Sequence, residues 1–391
     1  MKTHQLIDFI KKDSFPGIVL IAVTLLALFF KNSFLSTYYS DFLNIPVEVK
    51  FGSLHIAKPL MLWVSDGLMA IFFLVVGLEI KREVLQGHLS SISQITLPAI
   101  GALGGMIVPA LIFVSFNYKD SFAMQGWAIP TATDIAFALG ILSLLGNRIP
   151  TSLKVFLMAL AIIDDLGAII IIALFYTQEL SHLSIAIAFA SLVVLFMMNK
   201  LGVVRKTAYL LVGLVLWVSV LKSGVHATLA GVTLAFFIPL SAKDKKGHDI
   251  SPAKELEHEL HYWVSFLILP LFAFVNAGVD LRDISIAQMT HSVPLGIMFG
   301  LFFGKQIGVF LFSWIAIKLN LAKLPKDSNY LSFYGVSVLT GIGFTMSLFV
   351  DSLAYNESDI FSSTDKLAIL IGSFLSGIIG YIILRISSRS S

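Results

Sequence analysis

Long apolar runs, separated by short polar stretches, recur along the whole chain. A helix needs about 20 apolar residues to cross a hydrocarbon core of roughly 30 Å, and most of the runs approach that length. They predict about twelve transmembrane helices, at residues 13–31, 60–86, 96–117, 122–144, 151–176, 183–200, 206–220, 224–239, 253–278, 293–316, 330–353 and 362–386. No small-residue cleavage site follows the first run, so we expect it to remain as a helix rather than to be removed as a signal peptide.

A segment between the first two runs has the pattern of β-strands instead. Val47, Val49 and Phe51 alternate with polar residues, a turn is available at Gly52, and the alternation then resumes. This pattern predicts a small external β-hairpin at about residues 45–58. Two interpretations stay open: an ordered external loop, or an edge strand that pairs with a second copy of the chain to form a homodimer.

The composition places the chain in the membrane. Hydrophobic residues make up 57% of the 391 residues and charged residues 13%, whereas a soluble domain is about 25% charged. The predicted fold class is therefore an all-α integral membrane protein, a single transmembrane domain over residues 1–391 with the lipid bilayer as its partner. The sequence has no cysteine, which excludes disulfides and thiolate metal sites. The net charge of +3 is more typical of membrane orientation than of a nucleic-acid partner, and we expect none.

The distribution of positive charge predicts the orientation. With about twelve spans and both termini in the cytoplasm, most of the 27 lysine and arginine residues fall in the inner segments. Removing one span would reverse every later loop and destroy this bias. The sequence therefore predicts a multi-pass protein of the cytoplasmic membrane with both termini on the cytoplasmic side.

Four charged residues interrupt apolar runs near mid-membrane depth: Asp134, Asp164, Asp165 and Lys305. A buried charge at that depth costs at least a few kcal/mol, so such residues usually mark a transport path or a relay. Asp164 and Asp165 are adjacent, and two carboxylates this close resist being ionised together. Such a pair can hold protons or a hard monovalent cation in competition, which is ion exchange in its simplest form. The alternative is a structural pair neutralised by backbone groups and a lysine.

Two functions remain open for Lys305. Near an aspartate, its ammonium group can form a fixed structural ion pair, or it can titrate and carry a proton. Desolvation favours the neutral amine and a carboxylate favours the ammonium, so the sequence does not decide between them.

Two predicted spans contain helix-breaking sequences. Residues 129–133 include Pro130, which removes a helical donor, and residues 340–345 contain two glycines flanked by hydroxyl groups. Unwound backbone is tolerated at membrane depth only where protein or a water-filled cavity supplies partners. We therefore predict two broken helices that cross at mid-membrane. They lie within inverted repeats at about 96–176 and 293–386, because the two three-helix units begin on opposite sides.

Several motifs resemble the NhaA family of sodium/proton antiporters. They are 127–139 (WAIPTATDIAFAL), 156–168 (FLMALAIIDDLGA), 341–346 (GIGFTM), 72–83 (FFLVVGLEIKRE) and 221–231 (LKSGVHATLAG). The resemblance runs essentially end to end. NhaA is itself one of the transporters in which inverted repeats with discontinuous helices are known, so the repeat prediction is not independent of it.

The resemblance implies a site and an activity. Asp164 and Asp165 would bind the ion and the protons, Thr133 and Asp134 would lie near them, and Lys305 would pair with Asp164 when the ion is absent. The family exchanges external protons for internal Na⁺ or Li⁺ electrogenically and is activated at alkaline pH, which implies a role in sodium and pH homeostasis. No cofactor is implied, since Na⁺, Li⁺ and H⁺ are substrates.

The resemblance also implies a pH-responsive region at the cytoplasmic ends of two spans. Its residues are Glu79, Arg82 and Glu83 at the end of the second span, and Glu257, His258 and His261 at the start of the ninth. Two histidines there can change charge near neutral pH. The alternative is a solvated cluster of charged helix ends. His226, on an apolar span, is by its residue type alone a packing residue.

Three other functions are compatible with parts of the pattern. A cation-coupled symporter for an organic solute would show a wider polar lining. An intramembrane aspartyl protease could use Asp134 and Asp164 as a dyad that shares a proton, but the Gly-x-Gly-Asp signature of that class is absent. A sensor without transport would not need a complete ion site at the midplane. The chain is therefore expected to be a transporter and not an enzyme.

Overall fold

Helices satisfy the backbone hydrogen bonds of the long apolar segments, as a chain that crosses a bilayer requires. The computed structural model describes residues 15–52, 54–176, 181–243, 247–282, 284–355 and 363–387. This part of the chain is mostly helical, and nine of its helical stretches are long and apolar enough to cross a membrane, with Ala123–Leu144 counted as one of them. The number is ten if the bent pair Tyr330–Leu339 and Phe344–Ala354 forms one span. The protein is thus a multi-pass helical membrane protein.

The helices follow one another along the chain as α1 (Phe15–Asn32), α2 (Ser36–Leu43), α3 (Leu60–Gln86), α4 (Ile92–Asn117), α5 (Ile135–Leu144), α6 (Thr151–Phe175), α7 (His182–Lys200), α8 (Lys206–Leu221), α9 (Leu229–Phe237), α10 (Pro252–Asn276), α11 (Ser292–Lys318), α12 (Tyr330–Leu339), α13 (Phe344–Ala354) and α14 (Thr364–Ser387). Shorter helical turns lie at His88–Ser90, Ala123–Thr131, Gly146–Arg148 and Ile286–Met289. Helices α3, α10 and α11 each contain a π-helical segment, at Val64–Leu68, Val264–Ile268 and Gly300–Gly304.

The seventh and eighth predicted spans correspond to short helices. Helix α8 has 16 residues and α9 has 9, so neither reaches the length of a full crossing. The total of about twelve spans therefore stays a prediction. Residues 13, 14 and 362, which two of the predicted spans include, lie outside the described residues.

The predicted hairpin is present. Strands β1 (Pro46–Phe51) and β2 (Leu54–Pro59) pair antiparallel, with Val49 opposite Ile56. Gly52 has a positive φ of 57°, which glycine adopts without strain at the turn; residue 53 lies outside the described residues. The indole N–H of Trp63 donates to the Val47 carbonyl at 3.0 Å, which ties the hairpin to α3. A second antiparallel pair, β3 (Ala242–Lys243) and β4 (Asp249–Ile250), is two residues long.

The chain forms two compact units, and the first comprises Met1–Ser36, Ser91–Ala168 and Asn276–Ser391. Within it, α4 and α11 approach most closely at Gly104 and Gly308. A Cβ on either glycine would collide with the backbone oxygen of the other, so the approach requires that both residues lack a side chain. Lys305 lies one helical turn before Gly308, and this contact therefore holds it against α4.

The second unit comprises Thr37–Ser90 and Ile169–Val275. Its core includes Leu78, Tyr209, Leu234 and Leu256, contributed by α3, α8, α9 and α10. Lys81 donates from Nζ to the carbonyl of Phe236 at 2.8 Å and to that of Ile238, so a cation neutralises the C-terminal end of α9. The prediction of a single transmembrane domain over residues 1–391 stays a prediction.

Candidate functional site

The centre of the first unit holds a buried ion pair. Asp164 lies on α6 and Lys305 follows the π-helical segment of α11, and Lys305 Nζ donates to Asp164 Oδ2 at 2.7 Å. The lysine is 0% exposed and the aspartate 2% exposed. The two charges are therefore taken out of water together, which is tolerable only because each neutralises the other.

The other oxygen of Asp164 is not satisfied by the protein. Oδ1 is buried and has no hydrogen-bond partner among the described residues. A buried carboxylate oxygen without a donor carries a free-energy penalty, and such an oxygen is a ready ligand for a hard cation. The neighbouring Asp165 is also buried, at 4% exposure, and has interactions of its own.

Two interrupted helices meet in the same unit. The first changes from the 3₁₀ segment Ala123–Thr131 to α5, and the second bends by 41° between α12 and α13. The Asp134 N–H donates to the Ile342 carbonyl at 2.6 Å, and Thr133 Oγ1 donates to the Thr340 carbonyl at 2.9 Å. Each interruption thus satisfies backbone groups that the other leaves open.

The Asp134 carboxylate serves both half-helices. Oδ1 accepts from the Phe137 N–H at 2.9 Å and caps α5, while Oδ2 accepts from the N–H of Thr345 at 3.1 Å and also from its hydroxyl. An anion at two helix N-termini compensates their partial positive charges. Asp134 is therefore fully engaged with helix ends, and Asp164 is engaged with Lys305.

Packing connects the ion pair to the interruptions. A Cβ on Gly300 would collide with Pro130 of the first interruption, and one on Gly343 of the second would collide with the side chain of Leu301. The π-helical segment that precedes Lys305 therefore lies directly against both interruptions. The structure brings Thr133, Asp134, Asp164, Asp165 and Lys305 into one unit, and it places the first two on the interruption and the last three on adjoining helices.

The predicted pH-responsive residues lie in the second unit, where helix ends of α3 and α10 meet. Arg82 Nε donates to both oxygens of Glu257 at 3.0 Å, and a second guanidinium nitrogen donates to Glu83. Glu79 lies one turn before Glu83 and is partly buried. The two histidines, His258 and His261, are exposed on the first part of α10. The structure thus joins the two predicted ends through one arginine.

Asp66, a further carboxylate near a span end, has a structural partner. Lys58 Nζ of β2 donates to Asp66 Oδ2 at 2.6 Å, and the Trp217 indole N–H donates to the Asp66 carbonyl at 3.1 Å. These bonds attach the hairpin to the π-helical segment of α3 and to α8.

Thr345 lies in the site, but its contact with Asp134 was not predicted from the sequence. Its hydroxyl and N–H both bind Asp134. The available signal was its place in the first turn after a glycine-rich interruption, where hydroxyl side chains commonly satisfy helix ends. In the described ranges, no group of three or more His, Cys, Asp or Glu side chains is arranged to hold a metal ion.

Comparison with known sequences gives the family. A family model described as Na+/H+ antiporter 1 matches residues 7–384. A Na(+)/H(+) antiporter NhaA of Sulfurovum sp. is 68% identical over 384 residues, 98% of each chain. NhaA of Nitratiruptor sp. is 64% identical over 384 residues, 98% of this chain and 99% of the relative. NhaA of Yersinia enterocolitica is 57% identical over 386 residues, 98% and 97% of the two chains. Because these matches span nearly the whole sequence at high identity, the chain belongs to the NhaA family of sodium/proton antiporters.

Proposed function

We propose that this protein is an electrogenic antiporter that exports Na⁺ or Li⁺ in exchange for external protons, is activated at alkaline pH, and serves sodium and pH homeostasis. Relatives of up to 68% identity are named Na(+)/H(+) antiporters, which supports the exchange of these two ions. The observation that carries the proposal is the Asp164–Lys305 pair, which is fully buried and leaves one carboxylate oxygen open.

Exchange follows from competition for the Asp164 and Asp165 carboxylates. Without Na⁺, the Lys305 ammonium neutralises Asp164. A Na⁺ ion that binds Asp164 and Asp165 takes the place of that ammonium, because two positive charges cannot share the carboxylates without repulsion. The protons that leave the site are released to the side from which Na⁺ came.

The stoichiometry we propose is two protons for each ion. Protons held on both aspartates, or on one aspartate and on Lys305, are displaced when one Na⁺ binds. Each cycle then moves net charge across the membrane, so the membrane potential drives it at about 2.3 kcal/mol per charge per 100 mV. An inside-negative potential draws the surplus protons inward and expels Na⁺.

The interruption supplies the ion path in this scheme. Thr133 and Asp134 lie where two half-helices end, and their polar groups bind backbone from both. The Asp134 carboxylate compensates the partial positive charges of the two helix N-termini, so these ends do not repel a passing cation. No cofactor is needed, because binding and release of the substrates themselves drive the cycle.

Alkaline activation is assigned to the cluster that Arg82 joins. Glu79, Glu83 and Glu257 compete for one guanidinium, and the exposed His258 and His261 stand on the same helix as Glu257. A change in the net charge of this cluster would alter the attraction between the ends of α3 and α10, which Arg82 joins.

We place the protein in the bacterial cytoplasmic membrane with both termini on the cytoplasmic side, as about twelve spans and the positive charge distribution require. The inverted repeats at about 96–176 and 293–386 belong to this proposal. The two interruptions that contact each other support it, since each would stand at the centre of one repeat.

The hairpin is the proposed contact between two copies of the chain. A two-stranded sheet offers unpaired edge groups to another strand. Deleting residues 47–56 should give monomers in detergent that still transport, measured by native mass spectrometry and a flux assay. A deletion variant that stays dimeric would refute this assignment.

The exchange site is tested with Asp164→Asn and Asp165→Asn. The purified proteins are placed in vesicles with an imposed pH gradient, and a pH dye reports its collapse on adding Na⁺, Li⁺ or K⁺. Each variant should lose Na⁺-dependent proton movement while it keeps its fold, because each removes a charge that both substrates need.

Asp280→Asn is the matched control. Asp280 is a loop carboxylate, and the hydrogen bonds from Arg282 hold its pKa below its usual range. Its substitution should leave the exchange intact. Normal exchange by a well-folded Asp164→Asn or Asp165→Asn variant would refute the proposed exchange site. An organic solute that drives Na⁺ flux would favour a symporter instead.

A further inference from the structure

A second pair of carboxylates is buried in the first unit, away from Asp164 and Lys305 in the sequence. Asp351 lies on α13 and is 3% exposed, and Asp365 lies in the first turn of α14 and is 1% exposed. Oδ1 of Asp351 and Oδ2 of Asp365 are buried and have no hydrogen-bond partner among the described residues. Native proteins rarely leave buried carboxylate oxygens without a donor, so the pair needs one.

The donor that fits is a proton on the pair itself. The two carboxyl groups are within hydrogen-bonding reach of each other. An ionised carboxylate only accepts hydrogen bonds, so a bond between the two exists only when one of them is protonated. Two ionised carboxylates in contact, away from water, would instead repel each other. One shared proton satisfies both observations.

Their places on the two helices decide which group carries the charge. The Lys366 N–H donates to Asp365 Oδ1 at 2.7 Å, and Asp365 stands in the first turn of α14, where the helix dipole favours an anion. Asp351 stands in the last turn of α13, where the dipole disfavours one. The proton therefore belongs on Asp351, which donates it to the Asp365 carboxylate.

Among the described elements that pack most closely against α13 and α14, none contains Asp, Glu, Lys, Arg or His, and the titratable groups are Tyr330 and Tyr334. These elements are Ala123–Thr131, Ile135–Leu144, Ile286–Met289, Ser292–Phe299, Gly300–Gly304 and Tyr330–Leu339. The Lys366 ammonium acts on both carboxylates. At the other end of α13, Asp134 binds Thr345, six residues and about 9 Å of helix before Asp351.

We propose that Asp351 and Asp365 form a proton-binding site of their own, in which one shared proton joins the end of α13 to the start of α14. When the proton leaves, two negative charges face each other and the contact weakens. Helix α13 begins at the interruption where Asp134 binds Thr345, so the site acts on the same half-helix from its opposite end. The site does not depend on ion exchange at Asp164.

Infrared difference spectroscopy of the purified full-length protein, between acidic and alkaline pH, tests for the proton directly. A protonated carboxylic acid has a C=O stretching band that an ionised one lacks. The wild-type protein should lose the bands of its buried acids as the pH rises, and one of these bands should be missing from Asp351→Asn at every pH. Asp365→Asn should shift the band, because the acid loses its carboxylate acceptor. Asp280→Asn should leave it unchanged.

Thermal unfolding gives an independent measurement. The folded pair holds a proton that the unfolded chain releases, so raising the pH favours unfolding. The melting temperature of Asp351→Asn should therefore rise relative to that of the wild type as the pH increases. If Asp351→Asn keeps every acid band of the wild type, the proposal is overturned. If that variant does not fold, an unshifted band in Asp365→Asn would overturn it equally.

Discussion

Lys305 and Asp164 show how a single residue pair can be both structurally necessary and chemically available. Full burial makes each charge depend on the other, since an unpaired ion in the interior is very unfavourable. The free oxygen of Asp164 nevertheless keeps the pair open to a competing cation. Stability and exchange therefore impose opposite demands on the same ammonium group.

Replacement of Lys305 by Gln should separate these demands. The single substitution leaves Asp164 buried without its partner, and breaking a buried pair costs about 3–5 kcal/mol. The double variant Asp164→Asn, Lys305→Gln removes both charges and should recover part of that loss. Thermal unfolding of the two single variants and the double variant measures the coupling.

The matched control for this cycle is Arg282→Gln, which breaks the loop ion pair with Asp280 and should change stability by about 0–1 kcal/mol. If the double variant is no more stable than Lys305→Gln alone, the two charges do not depend on each other. In vesicles, a stabilised Lys305→Gln protein that stays electrogenic would show that the lysine has a structural role only and does not carry a proton.

The sequence predicted the buried charges well, because a charge inside an apolar run is conspicuous whatever the fold. It did not predict that Thr345 binds Asp134, or that Asp351 lies beside Asp365. Those pairs depend on how helices pack, and the apolar pattern of α13 and α14 does not contain that information. The assignment of Asp164 to Lys305 came from the resemblance and not from spacing.

At the level of helices, close packing depends on a few residues without side chains. Helices α4 and α11 are in backbone contact at Gly104 and Gly308. The bounds of helix α9 could not be predicted from the hydrophobic pattern. Its apolar run is long enough to predict a span at 224–239, yet the helix begins only at Leu229 and ends at Phe237, since hydropathy alone does not show where a helix starts.

Gly104→Ala or Gly308→Ala should force α4 and α11 apart. The added methyl group would meet backbone and not a flexible side chain, so neither helix can yield without moving. Overpacking of this kind typically costs about 1–3 kcal/mol. Thermal unfolding should show a lower melting temperature. Na⁺-dependent proton movement should also fall, because a displaced α11 moves Lys305 away from Asp164.

Gly67→Ala provides the comparison for this prediction. A Cβ there would lie 3.8 Å from the Trp217 ring, an ordinary contact. Its stability should stay close to that of the wild type. Equal losses in Gly67→Ala and Gly104→Ala would contradict the special role of the α4–α11 contact.

For the whole molecule, composition and periodicity predicted a helical membrane protein correctly, because the bilayer imposes both on the sequence. The pattern does not fix the number of crossings, because the apolar runs over α8 and α9 form helices shorter than a full span, while α12 and α13 form a pair bent by 41°. The exchange proposed for the molecule also has a property that no single site possesses, which is its response to voltage.

Exchange of two protons for one Na⁺ should make the steady-state Na⁺ gradient depend on the membrane potential. Clamping the potential of vesicles to zero with valinomycin and K⁺ should lower the Na⁺ accumulation that an imposed potential supports. Exchange alone, without the clamp, should generate a potential that a voltage-sensitive dye reports. A Na⁺ gradient that ignores voltage would overturn the two-proton scheme and leave one-for-one exchange.

The π-helical turn at Gly300–Gly304 gives α11 a property that a regular helix lacks. In an α-helix, deleting one residue turns everything beyond it by about 100°. A π turn is wider than an α turn and commonly occurs as a single turn within an α-helix. Loss of one residue there can be absorbed by a return to regular α-helix, with Lys305 still facing α6. The span thus contains one residue more than a regular α-helix needs just before its lysine, and a variant that lacks one residue of Gly300–Gly304 should keep the same ion pair.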